Sequence, residues 1–331
     1  MTSTAPVAES LDSGQPGKLP RPRGVLSKAV IEALKRDPSE PTSFPAVPEG
    51  VDALGGDVQL ALYVCYELHY RGFLGVDDEW EWNTDLLALR AQLERQFLSC
   101  IRSSVEAGSD AEADMDEMSV EPRSGTGPSW YLRDRGTWEQ MREYLANRSL
   151  YHLKEADPHA WAIPRLTGNT KASFVAVEFD EYGAGRADRM HQRLYVEAMH
   201  AAGMDTDYLA YIDDALPEML AIVNLMSLFG LHRSLRGAVV GHFAATEITS
   251  SPGAARLVTA LSRLDAPPEC VHFYAEHVEA DAVHEQILRH DVVGSLISEH
   301  PELETDVVFG MRALTLVENR FADALMDRWT A

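Results

Sequence analysis

Apolar side chains recur every three to four residues along most of the chain beyond residue 24, the period of helices with one buried face. Val25, Leu26, Val30, Ile31 and Leu34 mark a short amphipathic helix over 24–36. The same spacing predicts longer helices over 51–72 and 84–106. It then predicts helix after helix: 136–155, 166–182, 186–202, 206–213, 216–247, 252–263, 268–290, 294–299 and 304–329. No run of alternating β-branched residues competes and no glycine-rich phosphate loop appears, so the fold class reads as all-α. The helices differ in length and share no motif, which argues against a solenoid. Pro38, Pro41, Pro45 and Pro48 mark a linker, and the acidic stretch 107–128, with its Gly, Ser and Pro, reads as a solvated loop. Residues 1–23 are rich in Pro, Ser, Thr and Gly and have no period, so they cannot bury enough apolar surface to offset their ordering entropy. The expected organisation is a disordered tail (1–23), an N-terminal helical extension (24–135) and a helical domain (136–331).

Composition narrows the partners. With 29 Lys and Arg against 52 Asp and Glu, the formal net charge is −23. Nucleic-acid backbones and anionic lipid surfaces would be repelled, so neither is an expected partner. The longest apolar run, Met219 to Leu231, is interrupted by Asn224 and falls short of the roughly 20 residues that span a bilayer. It reads as a buried core helix. Cys65, Cys100 and Cys270 lie far apart with no CxxC spacing, which leaves neither a zinc ribbon nor a disulfide framework. Four prolines in the first 24 residues and the lack of an apolar signal segment complete the expectation of a cytoplasmic protein.

The richest chemistry lies in the helix PPECVHFYAEHVEADAVHEQILRH. At about 100° per residue, His277, Asp281 and His284 (i, i+4, i+7) share a face with Cys270, Phe273, Tyr274 and Leu288. Glu276, Gln286 and Arg289 point elsewhere, so two imidazoles and a carboxylate are predicted on the buried side. A buried carboxylate is costly unless it is paired, hydrogen-bonded or bound to metal. A core network of hydrogen-bonded His and Asp is one account, and metal is the other.

Further ligands for a metal would come from facing helices. KASFVAVEFDEYGAGRADRMH offers Glu181, and Gly183 and Gly185 would loosen the chain enough to swing His191 back towards it. LRGAVVGHFAATEITSSPG places Glu247 at the end of an apolar helix, and Glu155 closes the helix that carries Tyr151 and His152. Four carboxylates (Glu155, Glu181, Glu247, Asp281) match the charge of two divalent ions, and three imidazoles (His191, His277, His284) complete a mixed oxygen and nitrogen shell. Such a set, free of thiolate, favours iron or manganese over structural zinc, although affinity order alone favours copper or zinc.

This series of residues resembles the haem-oxygenase-like diiron oxidases and oxygenases, also described as iron-containing redox enzymes. The likeness covers about residues 136–295, and its specific parts are the His277, Asp281, His284 triplet and the EYGAG…H segment. The resemblance implies a haem-oxygenase-like bundle, two Fe(II) ions on the seven residues, and dioxygen as co-substrate. It also implies a small-molecule substrate, scope for an external electron donor, and a homodimer packed through the N-terminal extension. N-hydroxylation, desaturation and oxidative C–C cleavage are the outcomes it suggests. Two alternatives stay open: a non-catalytic iron- or haem-binding helical protein, and an all-α interaction protein with a hydrogen-bonded core.

Several other residues read as structural. Glu67 and His69 point about 200° apart on a helix. Pro158 separates His159 from Glu155, so His159 reads as packing. Glu269 and His272 form a lone E-x-x-H where ferritin-like bundles use two. Trp80, Trp82, Trp130 and Trp161 read as packing aromatics, and Tyr182 and Glu178 either as neighbours of a substrate pocket or as core residues or outer neighbours of the metal ligands.

Overall fold

The apolar repeat folds as helices throughout a computed structural model that describes residues 14–331, the side chain of Glu279 excepted. Among the described residues the extended backbone pairs once, in an isolated bridge between Gly17 and Phe73. In the first part of the chain, α1 (Val25–Leu34) turns Leu26, Val30, Ile31 and Leu34 inward. The helix α2 (Gly56–Glu67) is buried on nearly every side and packs against α1. Asn83 caps α3 (Thr84–Ser104), its Oδ1 accepting from the N–H groups of Asp85 and Leu86, a cap worth about 1 kcal/mol.

The acidic stretch expected to be a solvated loop contains a helix, α4 (Ala111–Ser119). Asp110 caps it, Ala111 and Met115 are buried one turn apart, and Asp114 takes both ends of the Arg312 guanidinium. Counting charges along the chain misses such a helix because its neutralising partner is 198 residues away. The tail expected over 1–23 also differs where it can be described. Residues 1–13 lie outside the described residues, but 14–23 run along the body. Arg21 pairs with Asp213, and Arg23 donates to the carbonyls of Ile212 and Ala215.

Then follow α5 (Pro128–Asp134), α6 (Trp138–His152), the single turn α7 (Asp157–Ala160), α8 (Gly168–Glu181) and α9 (His191–Ala201). The helix expected over 206–213 is a run of turns instead, and Leu209 sits there at φ 62°, outside any right-handed helix. The helix expected over 216–247 is two: α10 (Pro217–Leu231) and α11 (Arg236–Arg263), separated at His232–Leu235. The second runs straight through Pro252, where a break was expected. Packing against the helices on either side outweighs the backbone hydrogen bond that proline forfeits. After α12 (Pro268–Gln286) a π-helical stretch, Ile287–Gly294, leads into α13 (Ser295–Glu299) without a break, and α14 (Glu304–Thr330) ends the chain. No described helix is long and apolar enough to cross a membrane.

The core is built around α11, which packs against α12 on one side and α14 on another. Where α11 meets α14 the backbones themselves touch. A Cβ on Gly241 would run into the Val307 carbonyl, and one on Gly310 into the Ala238 carbonyl. Gly241→Ala is therefore expected to push the two helices apart and lower unfolding free energy by about 1–3 kcal/mol. Urea denaturation would measure it, and an unchanged midpoint would contradict the close crossing.

Candidate metal centre

Each of the seven residues is placed by a local feature. Glu155 lies three residues past the end of α6, in a turn whose next residue, Ala156, has φ 71°. Gln192 holds that turn by donating to the Glu155 carbonyl at 2.8 Å. Glu181 is the last residue of α8, and beyond it Gly183, Ala184 and Gly185 all take positive φ. At Gly183 a side chain would also collide with the Arg189–Met190 backbone. This tight reversal delivers His191, the first residue of α9, back to Glu181 with Nδ1 2.6 Å from Oε2. Glu247 comes from α11, and His277, Asp281 and His284 from one face of α12.

All seven converge in two adjoining sets. Glu155, His191 and His277 each offer an atom within 4.8 Å of the others, as do Glu181, Glu247, Asp281 and His284. Every one is buried, none more than 8% exposed. Glu181 joins the sets: Oε2 faces His191, while Oε1 lies 3.3 Å from His284 Nδ1. His284 Nδ1 also faces Glu247 at 3.1 Å and Asp281 at 3.9 Å. His277 Nε2 is 3.6 Å from Glu155 Oε1.

Hydrogen bonding orients the rings. His277 Nδ1 donates to the Phe273 carbonyl at 2.8 Å, so a neutral His277 turns its Nε2 lone pair into the cluster. That Nε2 and His191 Nδ1 face carboxylate oxygens, Glu155 Oε1 at 3.6 Å and Glu181 Oε2 at 2.6 Å, while Glu155 Oε2 is buried without a hydrogen-bond partner. Imidazole nitrogens and carboxylate oxygens turned on one another in one buried place, with an oxygen left over, fit a cation, because a buried polar atom is normally satisfied.

The electrostatics point the same way. Burial works to lower His284, but hydrogen bonds with Glu181 and Glu247 outweigh it and lift the imidazole to about 11. His277 rises against burial to about 10 through its bond with Glu155. Burial would raise Glu181, yet the charge of His191 and bonds from His191 and His284 hold it down at about 2. Asp281 is pushed up to about 6, chiefly by burial, and Glu247 well above the usual carboxylate range by burial and then by the charge of Asp281. The carboxylates outnumber the imidazoles, so the field there attracts positive charge. Since a bound metal would displace the imidazole protons, divalent-metal affinity is expected to rise with pH, about tenfold per unit for each proton released. Competition with a chromophoric chelator across neutral pH would measure the slope, and a flat profile would contradict it.

Three neighbours escaped the sequence reading as part of the cluster. His152 Nδ1 lies 3.0 Å from Glu155 Oε1, and its i, i+3 spacing was the available signal. Ser250 donates to Asp281 Oδ2 at 2.6 Å. Asp180 Oδ2 lies 2.9 Å from His284 Nε2 although its side chain is 56% exposed, and nothing in the spacing marks it. Glu178, expected as a pocket neighbour, a core residue or an outer neighbour of the ligands, is buried with both oxygens unpartnered, and burial pushes its carboxyl well up. Elsewhere His159 packs as expected, stacked on Phe243 and bonded to His242. Glu269 and His272 are solvent-exposed. Trp82, expected to pack, is 67% exposed, its ring set edge-to-face against His69 at 5.4 Å between centres. A cavity of about 370 Å³ opens beside the cluster, walled by Ile222, Met226, Phe273 and Leu314 and floored by Glu155, Glu181, Glu247, His277 and Asp281.

Comparison with known proteins adds three findings. The profile of a family described as "Iron-containing redox enzyme" matches residues 142–319, more than half of the chain. A nitrosourea synthase from Streptomyces achromogenes subsp. streptozoticus is 24% identical over 159 residues, 48% of this chain and 34% of that protein. The chain thus matches about a third of that relative's length. The crystal structure of a CADD-like protein of unknown function from Nostoc punctiforme superposes with a TM-score of 0.53 at 14% identity, over 68% of this chain and all of the other. That likeness is one of fold.

Proposed function

Because the chain belongs to the iron-containing redox enzyme family, with its haem-oxygenase-like all-α fold, we propose that it is an oxidoreductase holding two ferrous ions and using dioxygen to oxidise a small organic substrate. The observation that carries this reading is the convergence of four carboxylates and three imidazoles in one buried place. Glu155, His191 and His277 would hold one ion; Glu247, Asp281 and His284 the other; Glu181 would serve both through its two oxygens. Ions of this kind would supply electrons to dioxygen and a Lewis-acidic centre for the oxidation.

The protein's own part is orientation and exclusion. The Phe273 carbonyl fixes the tautomer of His277, and Asp180, accepting from His284 Nε2, leaves Nδ1 to face the carboxylates. Such outer partners commonly change metal affinity 10- to 100-fold. Ser250 pins Asp281, and Gln192 pins the turn bearing Glu155. Burial, and then the charge of Glu181, push the Glu178 carboxyl well above the usual carboxylate range, which favours its uncharged form beside an already acidic cluster. Ile222, Met226, Phe273 and Leu314 give the cavity beside the cluster an apolar wall. We assign the metal-holding unit to residues 136–331, with the helices of 24–135 as an extension packed on it.

Anaerobic titration with ferrous iron tests the reading: two ions should bind per chain, and admitting oxygen should consume it and oxidise the iron. Tight iron binding with no oxygen uptake would overturn the enzyme in favour of a carrier. No binding at all would leave a hydrogen-bonded core.

A further inference from the structure

Three of the seven cluster residues have chain neighbours that belong to one hydrogen-bonded network. Gln192 follows His191, Tyr182 follows Glu181, and Asp157 lies two residues beyond Glu155. Buried Gln192 donates from Nε2 to the Glu155 carbonyl at 2.8 Å and to Asp157 Oδ1 at 3.2 Å, and the Tyr182 hydroxyl donates to the same Oδ1 at 2.8 Å. One carboxylate oxygen thus gathers the stretches of chain that carry Glu155, Glu181 and His191.

The network continues into the N-terminal extension. Arg71, four residues past the end of α2, donates from Nη2 to the Leu153 carbonyl at 2.9 Å and to Gln192 Oε1 at 3.2 Å. Both bonds fit one nitrogen, because Nη2 carries two N–H groups. Arg71 is itself seated. Its guanidinium lies 4.4 Å from the centre of the Tyr208 ring, and its backbone N–H donates to Glu67 Oε1, which also accepts from the Tyr208 hydroxyl. Glu67 takes Lys154 on its other oxygen. Leu153, Lys154 and Glu155 are therefore each tied, the first two directly to the extension and the third through Gln192. The turn needs such ties. It lies past the end of α6, and Ala156 stands at φ 71°, a conformation that residues other than glycine adopt only at a cost.

The other half of the cluster is supported differently. His284 meets Asp180 of α8, and Asp281 accepts from Ser250 of α11, both outside the extension. We propose that Arg71 is a positioning residue for the ion held by Glu155, His191 and His277, so that the N-terminal extension is a working part of one metal position and not of the other. This assignment rests on the two-ion reading of the cluster, and the test separates the two.

The full chain and its variants are titrated anaerobically with ferrous iron against a competing chelator, with Mössbauer detection of the two positions. The ion retained in His284→Ala marks the position with Glu155. Arg71→Met should weaken that ion about tenfold, the low end for an outer partner, and leave the other within about twofold. Arg71→Lys keeps a cation over Tyr208 without the planar fork, so it should lose less at the same position, and it carries the test if Arg71→Met does not fold. Gln192→Met should weaken the same ion. Combined with Arg71→Met it should cost less than the product of the two single losses, since the arginine acts partly through the glutamine. Arg23→Met removes a different tie to the body, the bonds to the Ile212 and Ala215 carbonyls, and should leave both affinities unchanged. Equal weakening of both ions by the Arg71 variants, weakening of neither, or the same loss in Arg23→Met would overturn the assignment. A wild-type chain that takes up a single ion would instead overturn the two-ion reading; the role of Arg71 then stands if its variants weaken that ion and Arg23→Met does not, and falls otherwise. A wild-type chain that takes up no iron overturns both.

Discussion

Glu181→Ala is expected to empty both metal positions at once, whereas His284→Ala should lose the ion held with Glu247 and Asp281 far more readily than the other. The difference follows from which atoms each side chain presents. Glu181 turns one oxygen to His191 and the other to His284, so its removal takes a donor from each set. His284 faces Glu181, Glu247 and Asp281 through the single atom Nδ1, and the other set keeps Glu155, His191 and His277. Loss of affinity by at least about a hundredfold is expected at each affected position, more than the 10–100-fold typical of an outer partner. Ferrous titration with Mössbauer detection would resolve the two positions. Equal loss of both ions in the His284 variant would contradict this division of ligands.

The second large effect lies one residue from Glu155. Lys154, 1% exposed, points away from the cluster and pairs with fully buried Glu67 at 2.6 Å, its ammonium over the rings of Tyr63 and Tyr70. Burial lowers the Lys154 pKa in spite of the nearby Glu67 charge, which shows how costly the cation would be if left alone. Glu67→Ala should therefore destabilise the fold by about 3–5 kcal/mol, the usual cost of stranding one half of a buried ion pair. The double variant Glu67→Leu, Lys154→Met should recover most of it, because two apolar side chains of similar volume remove the stranded charge. Urea denaturation of the three proteins gives the comparison. A double variant as unstable as the single would show that the pair's hydrogen bonds, among them Tyr208 to Glu67 at 2.8 Å, matter more than its charge.

How much of this was legible depended on whether the information was local. His277, Asp281 and His284 announce a shared face because helical phase is written in their spacing, and that face is buried. His191 was reachable because glycines mark where a chain can reverse, and the turn at Gly183 is of that kind. Helix α4 was missed because its acids find their counter-charge in α14, far along the chain. The break at His232–Leu235 carries no proline or glycine within it, and the expected break at Pro252 is bridged by neighbours on either side. Lys154 and Glu67, 87 residues apart, share no pattern that links them. Asp180 stands beside Glu181 on the outward side of α8, and only the folded arrangement brings His284 within its reach.

The glycine crossing of α11 and α14 bears on how a substrate gets in. Side chains can swing aside like a gate, but two backbones in direct contact have nothing to swing. Those helices supply Glu247 and Leu257 on one and Leu314, Glu318 and Phe321 on the other, so two sides of the chamber behave as a single stiff beam. The seam between α6 and α12, where Tyr144, Arg148 and Tyr274 line the chamber, is joined by side chains such as His152 against Phe273 and is therefore the side freer to adjust.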